Sequence, residues 1–279
     1  MSKLIVCTTE KAKVPFTFLN TKVEIYTYEE LCFYIYNNTV LISKSSLSEK
    51  LFDWIRNEIK MPVLADRLTG MVNKTAYAQE LLVEILSAGN YYTNEEVRIY
   101  AEAWQKYRKL SPVQRMKLKA DGYLGYRRYI KAANIYDDII GMADEIENKT
   151  FLGNVYHNRA VAAASNFDTV LAKEYFLKAF ELNNNEESRK GYFFVVAVTG
   201  DTETLRQEIR QQDIEDAEGY FEDIMMEIGD AKDDVREMTI FAMLQRAVYN
   251  KMNKDMGDYD KRMDIILSEL KDNFREESI

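Results

Sequence analysis

Apolar positions change their spacing once along this chain. In the first 26 residues they alternate. Val14 to Phe18 and Lys22 to Tyr26 set apolar against polar side chains with a period of two, joined through Leu19, Asn20 and Thr21, and Lys3 to Thr8 is a short run of apolar and β-branched residues. Alternation puts every second side chain on one face of an extended strand, so two or three short strands in a hairpin-like sheet are expected over residues 1–26. Such a sheet is marginal by itself and should lie against the helix that follows. From Thr27 onward apolar residues recur every three or four positions, the spacing of a helix with one buried face.

Helix starts are marked by residues able to satisfy free backbone N–H groups. Thr27 with Glu30, Ser46 with Glu49 and Thr93 with Glu96 have capping-box spacing, and Ser111 precedes Pro112, a proline suited to a first turn. Pro62 opens another helix, and one running from Tyr77 to Leu86 is closed by Gly89. These place four to five helices over residues 27–110. Beyond residue 200, Gly-Asp pairs at Gly200, Gly229 and Gly257 are expected to divide the chain into helices of about 14, 20 and 18 residues. Asp233 and Asp234 are then expected near a helix N-terminus, where the dipole favours them.

Between these parts the sequence aligns with itself at a shift of 40 residues. Met116, Ala120, Tyr123, Ala132, Tyr136 and Ile139 recur as Tyr156, Ala160, Ala163, Ala172, Phe176 and Ala179. Equal spacing of small and aromatic positions predicts a repeated two-helix unit, with first helices ending near Gly125 and Ser165 and second helices beginning near Arg127 and Asp168. The alanines are small where the helices cross, and Tyr136 and Phe176 fill the space beside them. A third unit is expected from Glu186, carrying Tyr192, Phe193, Val195 and Val196, with its turn at Gly200 and Asp201. Arg206 and Arg210 occupy the places of an alanine and an aromatic in its second helix.

This pattern resembles the tetratricopeptide repeat (TPR), over about a quarter of the chain, although that family's period is about 34 residues. The six extra residues lie between Gly141 and Thr150. With its short β N-terminus and the helix entry at residues 28–38, the whole chain is similar to uncharacterised TPR-like proteins of Gram-positive anaerobic bacteria. The resemblance implies a mainly α fold, a helical-hairpin array (α-solenoid), here with a small N-terminal β hairpin. It also implies a concave groove, lined by the first helix of each unit, that takes a peptide or a partner helix. Gln114, Lys117, Asp121, Asn154, His157 and Asn158 would line it. Lys117 and Asn158 match positions at which co-chaperone members hold a terminal carboxylate; Asp121 replaces the family's asparagine, and only the nearby Arg189 and Lys190 stand for the third unit's basic pair.

Composition narrows the function. Three Pro and 11 Gly, with 47% hydrophobic and 30% charged residues, describe a folded, mostly helical chain. No run approaches the eighteen or so apolar residues of a membrane span, and residues 1–10 lack a secretory signal, so a cytoplasmic location is expected. Cys7 and Cys32 sit in apolar surroundings as buried thiols. Net charge is +1 over residues 1–110, +1 over 111–200 and −11 over 201–279. The acidic last segment disfavours nucleic acid and would attract a basic partner. Phe221 to Ile228, Met238 to Val248 and Met263 to Leu270 carry apolar stripes there, rich in Met, that are expected to be core.

No metal cluster can be built around His157, the single histidine, and no phosphate-cradling glycine loop is present, so neither cofactor, metal nor catalysis is expected. The chain therefore reads as short strands (1–26), a helical region (27–110), TPR-like repeats (111–200) and an acidic helical region (201–279). Its expected role is that of a non-catalytic scaffold or adaptor for a protein or peptide partner. Alternatives are a co-chaperone-like adaptor and a peptide-sensing regulator, the latter opposed by a nearly neutral N-terminal region that begins with strands. Its oligomeric state is left open.

Overall fold

Spacing of two gives way to spacing of three and four where the strands end and α1 begins. A computed structural model of the chain describes residues 9–42, 44–74, 77–212 and 214–278. Strand β1 (Phe16–Phe18) pairs antiparallel with β2 (Val23–Ile25), Phe16 facing Ile25 and Phe18 facing Val23. Lys22 takes a left-handed backbone, φ 59°, to turn the chain between them. The strand expected over Lys3 to Thr8, and Cys7 with it, lie outside the described residues. Fourteen α-helices follow among the described residues, and none is long and apolar enough to cross a membrane.

The chain divides into two units, Met1–Tyr126 and Arg127–Ile279. In the first, helix α1 (Tyr28–Asn37) is the buried centre. Thr27 and Glu30 cap it reciprocally, as the spacing predicts. Leu31, Cys32 and Ile35 are fully enclosed, with α2 (Glu49–Asn57), α3 (Pro62–Asn73) and α4 (Ala78–Ser87) supplying Leu51, Ile55, Leu68, Leu81 and Ile85 to the same core. Tyr28 donates its hydroxyl to the Ile85 carbonyl, and its ring lies where a Cβ on Gly89 would stand. Gly89 is thus small for packing, the left-handed residue after α4 being Asn90. The sheet rests on this core as expected: Phe18 stacks on Tyr34 at 4.0 Å, and Trp54 donates to the Val14 carbonyl. Burial pushes the free Cys32 thiol up to about 12.

Helix α5 (Asn94–Lys109) has its Thr93–Glu96 box, and α6 (Pro112–Gly125) its Ser111–Gln114 box. The box expected at Ser46 does not form. Residues Lys44–Ser46 make a 3₁₀ turn instead, and α2 starts two residues later than expected, behind Ser48.

The second unit holds α7 (Tyr129–Ile140), α8 (Lys149–Ser165), α9 (Thr169–Asn183), α10 (Glu186–Thr199), α11 (Thr202–Gln211), α12 (Ala217–Glu237), α13 (Thr239–Met252) and α14 (Met256–Ser278). Helix α8 packs along α9, with Ala160, Ala163, Ala172 and Ala179 fully buried at the crossing and Phe176 beside them. Two glycines allow closer approach still, Gly153 of α8 to α9 and Gly191 of α10 to α9. A Cβ on Gly153 would stand 2.7 Å from Asn183 Cβ, and one on Gly191 would stand 2.5 Å from the Phe176 ring. In chain order α7 packs on α8, α9 on α10, α10 on α11 and α12, α12 on α13 and α13 on α14, and α14 then returns to α7. In an open array each unit touches only its neighbours; here the succession of contacts closes on itself.

The 40-residue shift is visible in the backbone. Tyr126 and Asn166 end helices with φ/ψ of −90°/14° and −96°/12°, Arg127 and Phe167 are left-handed at φ 56° and 61°, and Arg128 and Asp168 lead into the next helix at −84°/61° and −82°/75°. The division into units falls inside the first copy of this turn, so α6 and α7, the helices of the expected first repeat, belong to different units.

Two expectations for the last third are corrected. Gly229 and Asp230 do not break the chain; α12 runs through them for 21 residues and stops at Met238. A Cβ on Gly229 would meet nothing within 4 Å, and an exposed helix interior tolerates glycine at a cost of about 1 kcal/mol. Asp233 and Asp234 consequently lie in the last turns of α12 rather than at an N-terminus, and Asp233 pairs with Arg236 at 2.6 Å. Near Gly257 the chain does divide, α13 ending at Met252 and α14 starting at Met256, so that Gly257 is the second residue of the new helix. Gly200 and Asp201 do form a turn, Asp201 capping α11.

Candidate functional site

Each of the six groove residues is described within its own unit. Gln114, Lys117 and Asp121 are on α6 in the first. Gln114 is the third residue of the helix, and its side-chain oxygen accepts from the Ser111 N–H at 3.0 Å. One turn on, Lys117 forms an ion pair with Asp121 at 2.7 Å, the two side chains being half-buried. A lysine neutralised by its own helix is poorly disposed to hold a carboxylate.

Asn154, His157 and Asn158 are on α8 in the second unit. A helix places residues three and four apart on one face, and that face meets the Asn183-Asn184-Asn185 turn between α9 and α10. Asn184 takes a left-handed backbone, φ 49°, and Asn185 caps α10, which holds the turn against α8. Asn183 donates its amide to Asn154 Oδ1 at 3.1 Å and to Ser188 Oγ at 3.3 Å, and its own Oδ1 accepts from the Asn185 N–H at 2.9 Å. His157 Nδ1 lies 3.0 Å from Ser188 Oγ, with its ring edge-on to Phe176 at 5.4 Å. Asn158 also has a partner within the protein. A serine beside a histidine has the composition of an activated nucleophile, but the Ser188 side chain is wholly enclosed, at 0% exposure. No substrate reaches it, and the pair joins α8 to α10.

A second polar group surrounds Arg189. Its guanidinium bonds Glu186 at 2.6 Å and lies over the Phe180 and Tyr220 rings, while the Tyr220 hydroxyl also donates to Glu186 at 2.5 Å. Burial raises the Glu186 pKa, but the bonds from Arg189 and Tyr220 outweigh it and leave the carboxyl below its ordinary value. Lys190 pairs with Glu227 at 2.6 Å. Arg189 and Lys190, the counterparts of the third unit's basic pair, are both engaged inside the unit.

Exposed apolar side chains are concentrated elsewhere. A cleft of about 720 Å³ opens between α10, α12 and α13, walled by Phe194, Val198, Ile228, Val235 and Phe241. Val198 is 77% exposed. Along α13 the apolar face continues through Leu244, Val248 and Met252, all exposed. The stripes on α12 to α14, expected to be core, are buried only in part: Phe221, Ile224, Ala247 and Ile266 are enclosed, and the rest of α13's stripe faces outward.

Sequence reasoning missed Asn183, Ser188, Gly153 and Gly191. The triple asparagine was the available signal for the first pair, and glycine inside an otherwise helical pattern the signal for the second. Among the described residues, no group of three or more His, Cys, Asp or Glu side chains is placed to hold a metal ion. Compared with models of known protein families, with curated proteins and with solved structures, the chain matches none.

Proposed function

We propose that this chain is a non-catalytic protein-interaction scaffold of the cytoplasm, holding a peptide or partner helix against the helical hairpins of its second unit. One contrast carries the reading. Polar side chains that could bind a small polar ligand are bonded to one another, whereas large apolar side chains on α10, α12 and α13 are left to solvent. A contiguous exposed apolar face of this kind marks a surface that another molecule covers. TPR-like repetition of the helix-turn-helix backbone supports the same reading, since stacked hairpins present extended surfaces to partners. The co-chaperone form is less favoured, because Lys117 already has Asp121 as its counter-ion.

The test is affinity capture by the immobilised full chain from extracts of the native cell, followed by purification of what is retained and sedimentation of the mixture. A defined stoichiometric complex with a protein is expected. Retention of no protein beyond that held by a heat-denatured control would overturn the proposal.

A further inference from the structure

Charges around the apolar cleft differ in sign from those of the segment that builds it. Residues 201–279 carry 11 basic and 22 acidic side chains. On α12, however, Asp230, Asp233 and Glu237 are exposed on the side turned away from Ile228, Ala231 and Val235, as 100° per residue requires, and Asp234 stands on the flank below Glu227. The charged residues lining the cleft are Lys232, Arg236 and Glu227; Glu227 is paired with Lys190 and Arg236 with Asp233, which leaves Lys232 as the charge there that no partner among the described residues balances. Helix α13 has no acidic residue; Lys251 flanks its exposed seam, while Arg246 is on the far side of the helix. The open apolar face therefore has Lys232 and Lys251 at its border within an otherwise acidic region.

Its shape selects a helix. Phe241 lines the cleft, and Leu244, Val248 and Met252 follow it at spacings of three, four and four along α13. That seam extends for about 16 Å at 1.5 Å per residue, well past the cleft itself. An amphipathic helix laid in a groove offers anchors at the matching i, i+3, i+4 and i+7 positions. A long-chain carboxylate would fill the cleft and leave Val248 and Met252 uncovered. Pairing of α13 with α13 of a second copy would cover the seam but bring both copies' Lys251 to the one interface, with no acid on either helix to offset them.

We propose that the cleft and the α13 seam bind an acidic amphipathic helix of a protein partner, its apolar anchors between Val235 and Phe241 and its carboxylates toward Lys232 and Lys251. This rests on the reading of the chain as a protein-binding scaffold. The exposed methionines Met238 and Met252 suit such a surface, since an unbranched thioether adapts to the anchor it meets.

The experiment selects binders from a random 16-residue peptide library on the full chain and measures the enriched peptides by fluorescence anisotropy. Ala231→Glu, at an exposed position on the cleft wall, blocks the groove; Lys232→Glu with Lys251→Glu reverses its border. Enriched peptides are expected to be amphipathic and net negative, to lose at least about tenfold in affinity to Ala231→Glu, and to weaken with the double variant and with salt. Circular dichroism of the variants should match that of the parent. Net-positive peptides, or binding indifferent to Ala231→Glu, would overturn the inference while leaving the scaffold reading intact; so would displacement by dodecanoate of equal potency, or a dimer lost in Ala231→Glu. Failure to enrich any peptide, together with failure of protein capture, would remove both.

Discussion

Arg127 and Phe167, 40 residues apart in sequence, share a left-handed backbone at φ 56° and 61°, each as the second residue of a three-residue link between helices. Left-handed geometry crowds the Cβ of any L-residue, and in Phe167 the cost has no return in packing, because the ring is 89% exposed. The link is kept by its neighbours: the Asp168 N–H bonds back to the Ala163 carbonyl at 2.9 Å, and the Asp168 side chain caps α9. Phe167→Gly should therefore stabilise the protein by on the order of 0.5–1 kcal/mol, read as a higher urea midpoint with an unchanged slope. A loss of stability would mean that the phenyl ring has a packing role after all.

Glycines inside helices separate two physical cases. At Gly153 a Cβ would collide with Asn183 Cβ, its backbone nitrogen and the Ala179 carbonyl, so Gly153→Ala should push α8 from α9 and cost about 1–3 kcal/mol. Ala160→Leu or Ala172→Leu, at the same crossing, should cost a similar amount. Gly229 has open space around it, and Gly229→Ala should stabilise by roughly 0.5–1 kcal/mol through helix propensity alone. Thermal melts of the four variants check both signs, and equal effects at Gly153 and Gly229 would contradict the close approach of α8 and α9.

Glu186 gives the acid limb of stability a named contributor. Its pKa is lowered in the folded chain, so its share of stability is present above the unfolded carboxylate value and is lost as pH falls through the folded value. Glu186→Gln should make stability fall less steeply below about pH 4.5, the ordinary glutamate value. Urea midpoints between pH 3 and 7 measure this; parallel profiles for parent and variant would show that Arg189 and Tyr220 do not hold the carboxylate.

Much of the fold could be read from local signals. Caps at Thr27, Thr93 and Ser111 form because a hydroxyl and the side-chain oxygen of a Glu or Gln stand three residues apart wherever the helix begins, and the 40-residue shift recurs in backbone angles because the same small and aromatic residues impose the same crossing. Ser46 had the same local signal, but the chain takes a 3₁₀ turn there before α2 starts at Glu49. Gly229 failed for the opposite reason: a glycine breaks a helix only where the flanking residues favour another conformation, and its neighbours on α12 do not. The candidate site was legible as positions but not as chemistry. His157 and Asn154 stand on one face of α8 as spacing requires, yet their partners Ser188 and Asn183 are 31 and 29 residues away, and only the packing of α8 against the α9–α10 turn brings them together. The outward face of α13 was hidden by the rule that apolar stripes are core; which stripes stay uncovered depends on what packs against them.

The central claim, that a protein partner covers the apolar face of the second unit, is tested most directly by amide hydrogen exchange of the full chain with and without its captured partner. Slower exchange over α10, α12 and α13 in the complex is the predicted result. A complex whose protection is confined to residues 9–126, with α10, α12 and α13 unchanged, would contradict it.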